Sequence, residues 1–447
     1  MKIESLKKLE RNPLFQMSLG SKELFHSNFL AWIISKQEQV SFVLNFLNDL
    51  LQLGNKIKAI IEFPEREKMN IDLRFKVELN DNTQRLIIIE NKVKSLPYKE
   101  QLLKYYTETE IEREKKSKKK NGEVYEVNYY LLSLVTPDDS ILLNNKNEKI
   151  WTRISYEDIA VSMSYNLTKL QSDSSDLITF ESIIKSYSEF ACLLQDIAEN
   201  DLKIKDENTE LFDYFNSETR KKYQSLRLHD LYLKSKYQQI AIAIKSRLSK
   251  NYQDADFNFN PWEKLRKKNK TLTQVNNGVF IKEGFSNSNG MIDFKFIPQK
   301  FTIENTDVYY AFCLQLQGDQ LRYALEFMGN FEGEKKQKAT KLIYEVAREL
   351  SNSQKWLELP KDIETKRNVF VNTKILGKPK KASEYDKERK FCKFDNLFLY
   401  KYHKISPATN VKSIIDLYVD IFAYLYKNKQ SFIEVLNECI KNDEVLN

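Results

Sequence analysis

Residues 71–92 read as one unit, and they restrict the fold more than any other stretch. Ile71, Leu73, Phe75, Val77 and Leu79 alternate with Asp72, Arg74, Lys76 and Glu78. That period of two predicts a strand with one apolar and one polar face. Asn80-Asp81-Asn82 supplies turn chemistry, so a hairpin to Leu86-Ile87-Ile88-Ile89-Glu90-Asn91-Lys92 is expected. A continuous apolar run that ends in charge predicts a central strand covered on both faces until its last residues.

Helical periodicity surrounds this hairpin. Phe25, Phe29, Trp32 and Ile33 fall at i, i+4, i+7 and i+8 and predict a helix over 21–34. Ser21 suits its N-cap, and Glu23 lies in the first turn, where the helix dipole favours a carboxylate. A second helix is expected over 40–53, and a strand over 57–63 that ends before Pro64. Residues 98–112 predict a helix with Leu102 and Tyr106 on one side and Gln101 and Tyr105 on the adjacent one. A charged loop over 112–123, a buried strand over 127–135 and helices over 156–170 and 175–200 follow.

The second half changes character. Helices are expected over 208–250 and 333–352, with alternating runs at 278–285, 291–297, 308–317 and 321–327. Strand-like runs at 368–376 and 396–404 precede a closing helix from about 411. No fixed-period repeat is present. The expected organisation is a mixed αβ domain over 1–205 and an α+β domain with a mainly antiparallel sheet over 206–447.

Composition excludes several classes. Cys192, Cys313, Cys392 and Cys439 lie far apart, as do His26, His229 and His403, so neither a zinc finger nor a disulfide framework is expected. The N-terminus has no continuous apolar segment, and no stretch has the length and apolarity of a membrane span. A cytoplasmic protein with no membrane partner is the expectation. The 71 Lys and Arg against 63 Asp and Glu leave +8, which permits a nucleic-acid partner without demanding one.

Asp72, Glu90 and Lys92 carry the chemistry. Two carboxylates on neighbouring strands suit a hard divalent cation such as Mg²⁺, which takes oxygen ligands and keeps several waters. Glu90 and Lys92 are two apart on a strand and point to the same face. The lysine then sits beside the metal, where it can orient or help deprotonate a water attacking a phosphate and offset transition-state charge. Taken singly, each of these residues reads as a solvated charge at a strand end. Together, and followed by a helix with Gln101 and Tyr105, they carry more weight.

Ile71-Asp72, Glu90-Asn91-Lys92 and Gln101-Leu102-Leu103-Lys104-Tyr105 resemble the signature of the PD-(D/E)XK nuclease superfamily. The helix from Glu23 to Trp32 is similar to the opening helix of one bacterial branch. Ile71 stands where the signature has proline, its most dispensable part. The resemblance implies a restriction-endonuclease-like core, a mixed central sheet flanked by helices, over roughly 15–200. It also implies Asp72 and Glu90 as metal ligands for Mg²⁺ or Mn²⁺, with Glu23 as an auxiliary ligand. Lys92 would serve the attacking water, while Gln101 and Tyr105 support the site or touch substrate phosphate. His26 reads better as a structural histidine than as a phosphate contact.

Three basic clusters are candidates for tracking nucleic acid. The first, Lys115, Lys116, Lys118, Lys119 and Lys120, follows the helix of Gln101 and Tyr105. The others are Lys264, Arg266, Lys267, Lys268 and Lys270, next to Trp262, and Lys378, Lys380, Lys381, Lys387, Arg389 and Lys390. As solvated loops they would mean nothing. The expected function is a metal-dependent nuclease, DNA favoured over RNA, with a homo-oligomer or a defence-system partner compatible by analogy. The alternative is a non-catalytic nucleic-acid-binding or regulatory protein on the same fold. A P-loop is absent, which removes NTPases and kinases.

Overall fold

A computed structural model describes all residues except 1, 19–21, 94, 119–123, 145, 171–174, 213–216, 267–276, 287–288, 354–384, 387–390, 395–396 and 443–447. The chain divides into two compact units. One is Met1–Lys203 with Lys222–Ser235; the other is Ile204–Lys221 with Lys236–Asn447.

The first unit is built on a mixed five-stranded sheet. Its strands are β1 (Ile57–Glu65), β2 (Leu73–Leu79), β3 (Gln84–Lys92), β4 (Glu126–Ser133) and β5 (Trp151–Ile154), lying side by side in sequence order. The first three are antiparallel, and β3–β4 and β4–β5 are parallel. Helices α1 (Lys2–Arg11), α2 (Pro13–Ser18), α3 (Lys22–Ile34), α4 (Val40–Leu51), α5 (Lys99–Ser117), α6 (Tyr156–Leu167) and α7 (Ser175–Ile197) flank it. This is an α/β fold, with the predicted hairpin as β2 and β3 at its centre.

Four sequence expectations shift. β1 runs through Pro64 instead of stopping before it; β1 is an edge strand, where the missing N–H leaves no ladder bond unmade. The polar face of β2 is not solvated, since Arg74 is 2% and Lys76 3% exposed. Arg74 donates to Glu112 at 3.0 Å from α5, and Lys76 reaches Glu62 at 2.6 Å and lies over the Tyr125 ring. The charged stretch from 112 is helix as far as Ser117, because Glu112–Lys116 pairs at i, i+4 extend α5. The short strand β5 is an addition: its Trp151 is 1% exposed and packs at 5.2 Å against Tyr129.

The second unit holds α9 from Lys236 onward, where α9 spans His229–Asn251 and follows α8 (Ser217–Ser225). After α10 (Pro261–Arg266) come β6 (Gly278–Ser286), β7 (Asn289–Ile303), β8 (Thr306–Gln317), β9 (Gln320–Gly329) and α11 (Gly333–Ser353). The two-residue β10 (Tyr385–Asp386), β11 (Phe391–Phe394) and β12 (Phe398–Lys404) complete an antiparallel sheet in the order β10-β11-β12-β9-β8-β7-β6. The closing helix is two, α12 (Val411–Lys427) and α13 (Lys429–Asn442), joined at Asn428. Phe294 and Phe296 of β7 meet Phe422 of α12 at 5.9 and 5.3 Å, and Phe312 of β8 meets Phe432 of α13 at 4.6 Å. Burying each such ring contributes roughly 1.5–3 kcal/mol. The run at 368–376 lies outside the described residues.

Candidate active site

The β2–β3 ladder pairs Leu73 with Ile89, so Asp72 and Glu90 fall opposite each other one step further along. On β3, Leu86, Ile88, Glu90 and Lys92 share the face beneath α5, whose Leu102 and Tyr105 join the apolar cluster there. Ile87, Ile89 and Asn91 take the other face. Apolar burial on both faces fixes the register, and the register places the charges.

Those charges are deeply buried. Glu90 is 1% exposed and Lys92 8%. Lys92 Nζ lies 2.6 Å from Glu90 Oε1, and Gln101 Nε2 donates to the same oxygen at 3.1 Å. Gln101 also donates to the Tyr105 hydroxyl at 2.8 Å, one turn along α5. Glu90 Oε2 is buried and receives no hydrogen bond from the described residues while both carboxyls are ionised. It can pair with Asp72 only if one of the two is protonated.

The electrostatics follow from that geometry. Burial first, and then the Asp72 charge, push the Glu90 carboxyl up to about 8. Burial also raises Asp72, against the lowering effect of the Asn91 N–H and the Lys92 ammonium. For Lys92 burial is the largest single influence and favours the neutral amine, but Glu90, Glu23 and Asp72 together outweigh it and hold the ammonium above its ordinary value. With no cation between the carboxylates, Lys92 therefore stands as an ammonium donor to Glu90. Burial likewise raises the Tyr105 phenol.

Glu23 stands near but is otherwise engaged. Its Oε1 accepts from Ser95 Oγ at 2.7 Å and Ser95 N–H at 3.2 Å. Among the described residues no group of three or more His, Cys, Asp or Glu side chains is arranged to hold a metal ion. The donor set that the structure assembles is the Asp72–Glu90 pair. A buried and a half-buried carboxylate, the former with an oxygen to which no described residue donates, fit a hard divalent cation that keeps part of its water shell.

A supporting network was not visible in the sequence. Asn91 N–H donates to Asp72 Oδ2 at 2.7 Å, and its side-chain amide donates to the Glu23 carbonyl at 2.9 Å and to Ser27 Oγ at 3.3 Å. Tyr156 OH in turn donates to Asn91 Oδ1 at 2.7 Å. The available signal was a lone amide on the apolar face of a central strand. His26 is fully buried, with Nδ1 2.8 Å from the Tyr187 hydroxyl and its ring stacked on Phe190.

The basic clusters fare unevenly. Lys115 and Lys116 lie in the last turn of α5 and Lys118 just beyond it, exposed and 3.9 Å from Glu114. Lys119 and Lys120 lie outside the described residues, as do Lys267, Lys268, Lys270 and the whole third cluster. Lys264 and Arg266 fall on α10, after a 45% exposed Trp262.

No helix among the described residues is long and apolar enough to cross a membrane. No curated protein and no solved structure gives a significant match to the chain. A family model does match, and the stretch it covers contains Asp72, Glu90, Lys92 and the helix that supports them. Over residues 11–187 the chain is similar to the PD-(D/E)XK nuclease superfamily, whose model matches that stretch.

Proposed function

We propose that this protein is a metal-dependent nuclease that hydrolyses phosphodiester bonds, with DNA the favoured substrate. The superfamily match suggests a nuclease, and PD-(D/E)XK nucleases typically use divalent metals. The observation that carries the reading is Glu90. One of its oxygens is held by Lys92 and Gln101, while the other is buried with no donor among the described residues, beside a second carboxylate.

In this reading Asp72 and Glu90 hold Mg²⁺ or Mn²⁺, and Glu23 steadies the loop after β3. Lewis-acid polarisation of the scissile phosphate is the chemistry such a cation would supply when held there. Lys92 would orient the attacking water or help deprotonate it, and offset negative charge as it develops on the phosphate. Gln101 fixes the Glu90 carboxylate, and Tyr105 fixes Gln101. Lys115, Lys116, Lys118 and Lys119 meet the substrate backbone, contributing affinity without sequence choice.

The domain boundary that goes with this reading is 1–205 for the nuclease and 206–447 for a unit that selects substrate, partner or activating signal. A cytoplasmic role in anti-phage defence or restriction, with a homo-oligomer or a defence-system partner, completes the proposal by analogy.

Cleavage of linear, circular and single-stranded DNA and of RNA by the full chain, with Mg²⁺ or Mn²⁺ against EDTA, tests it. Metal-dependent cutting that Glu90→Ala and Lys92→Ala abolish, with circular dichroism unchanged, is expected. Cutting that persists in folded Glu90→Ala would overturn the mechanism. Tight binding with no cutting of any substrate would replace it with the non-catalytic reading.

A further inference from the structure

Arg74 follows Asp72 by two residues and pairs with Ile88 of β3, its side chain buried. It makes three contacts. Nη1 donates to Glu112 Oε2 of α5 at 3.0 Å and to Met69 Sδ at 3.6 Å, and Nε stands 3.6 Å from Glu65 Oε2. Glu65 ends β1, and Met69 lies in the loop that leads to Asp72. One buried guanidinium therefore grips that loop at its start and near its end, and also the helix that carries Gln101.

The loop is strained. Glu67, Met69 and Asn70 have φ of 56°, 57° and 61°, three left-handed residues without a glycine among them. Asparagine tolerates that region, whereas glutamate and methionine enter it against the sterics of their Cβ. Such backbone persists only where its surroundings over-determine it. The Asn70 N–H donates to the Glu67 carbonyl at 3.2 Å and the Ile71 N–H to the Lys68 carbonyl at 3.1 Å, which closes the turn. Asp72 follows directly, so the path of the loop decides where its carboxyl stands.

We infer that Arg74 is a positioning residue: it holds the strained loop over 66–70 and thereby sets Asp72 opposite Glu90. Charge pairing alone does not explain its burial. Glu112 already has Lys116 at 3.2 Å, and Glu65 has Lys68 at 2.7 Å. Neither carboxylate depends on a guanidinium taken out of water at considerable cost. The consequence for metal binding rests on the proposed role of Asp72 as a ligand, but the placement of Asp72 can be read without metal.

The Asn91 N–H donates to Asp72 Oδ2, so deuterium exchange at that amide reports where Asp72 stands. Arg74→Met leaves Glu112 and Glu65 their lysines, and the fold is expected to survive. In the full chain in EDTA it should raise exchange at Asn91 roughly tenfold, the scale of one lost hydrogen bond to a charged group. The amides of Ile87 and Ile88 should keep their rates. Arg74→Lys, which retains a cation but not the planar fork, should fall in between. Adding Met69→Gly, which enters the left-handed region without a Cβ, should restore protection at Asn91.

The second readout is Mn²⁺ binding, followed by loss of the free ion's electron paramagnetic resonance signal, with Asp72→Ala as control. Arg74→Met should raise the half-saturating concentration about 10–100-fold, as for other groups that orient a ligand. Exchange at Asn91 that matches wild type in Arg74→Met would overturn the inference. An equal rise across the β3 amides would do so too, since it would make Arg74 a merely structural ion pair, as would protection that Met69→Gly fails to restore. Mn²⁺ binding that Asp72→Ala leaves unchanged would instead overturn the metal reading of the site, with the exchange result still deciding what places Asp72.

Discussion

Asn91 donates its backbone N–H to Asp72 Oδ2 at 2.7 Å, so the strand that bears Glu90 and Lys92 also fixes the other carboxylate. Its side chain, on the opposite face, takes three further hydrogen bonds from or to α3 and α6. One residue thus sets the spacing of the carboxyl pair and anchors it to the helical layer.

Asn91→Ala keeps the backbone bond and removes the other three. The buried Tyr156 hydroxyl then loses its acceptor, at a cost of about 1–3 kcal/mol. Urea denaturation should show that loss, and Tyr156→Phe should cost less when added to Asn91→Ala than alone. Additive effects would show that the two side chains do not act through each other.

Stability should depend on pH through Glu90. Its folded value is about 8 against an ordinary 4.5. The folded state therefore keeps the proton longer than the unfolded chain. This contribution is fully present below pH 4.5 and is lost as pH rises through 8. In EDTA the denaturation midpoint should fall as pH rises from 4.5 through about 8, and Glu90→Gln should flatten that part of the profile. If Mg²⁺ binds the pair as proposed, it competes with the proton and should raise the midpoint more at the alkaline end. A midpoint independent of pH across this window in EDTA would contradict the burial argument.

Gln101→Ala removes one of the two groups holding Glu90 Oε1. Supporting partners of this kind are worth about 10–100-fold in metal affinity or activity. The metal concentration for half-maximal cleavage should rise by a factor in that range, while Tyr105→Phe should change it less. An unchanged metal titration would separate Gln101 from the site.

Gly290→Ala tests the second unit. A Cβ there would lie 2.4 Å from the Tyr237 ring, too close for any real contact. Overpacking of this sort costs about 1–3 kcal/mol. Thermal denaturation should show most of the loss disappearing in a Tyr237→Ala background. Equal losses in both backgrounds would mean the backbone, not the ring, limits the position.

The sequence carried the parts governed by short periods. The alternation of 71–79, its turn and the apolar run of 86–89 appear as β2 and β3 because both faces of that hairpin are buried. Asp72, Glu90, Lys92, Gln101 and Tyr105 were named from local pattern and resemblance, and the structure brings all five together. What stayed hidden depends on tertiary neighbours. Arg74 and Lys76 read as surface charge because nothing local shows that α5 will cover them and supply Glu112. The commitment of Glu23 to Ser95 and the ties from Asn91 to Tyr156 link positions 72 and 65 residues apart, beyond the reach of any window.

The edge strand β1 has a consequence for how copies of this unit can meet. Its pairing with β2 breaks register three times, and Pro64 offers no N–H. A smooth edge invites a neighbouring chain to add a strand, and bulges and proline blunt that invitation. Sheet extension through β1 is therefore disfavoured, which guards this sheet against edge-to-edge aggregation while the protein is being made. A pair of these units would have to join through other surfaces.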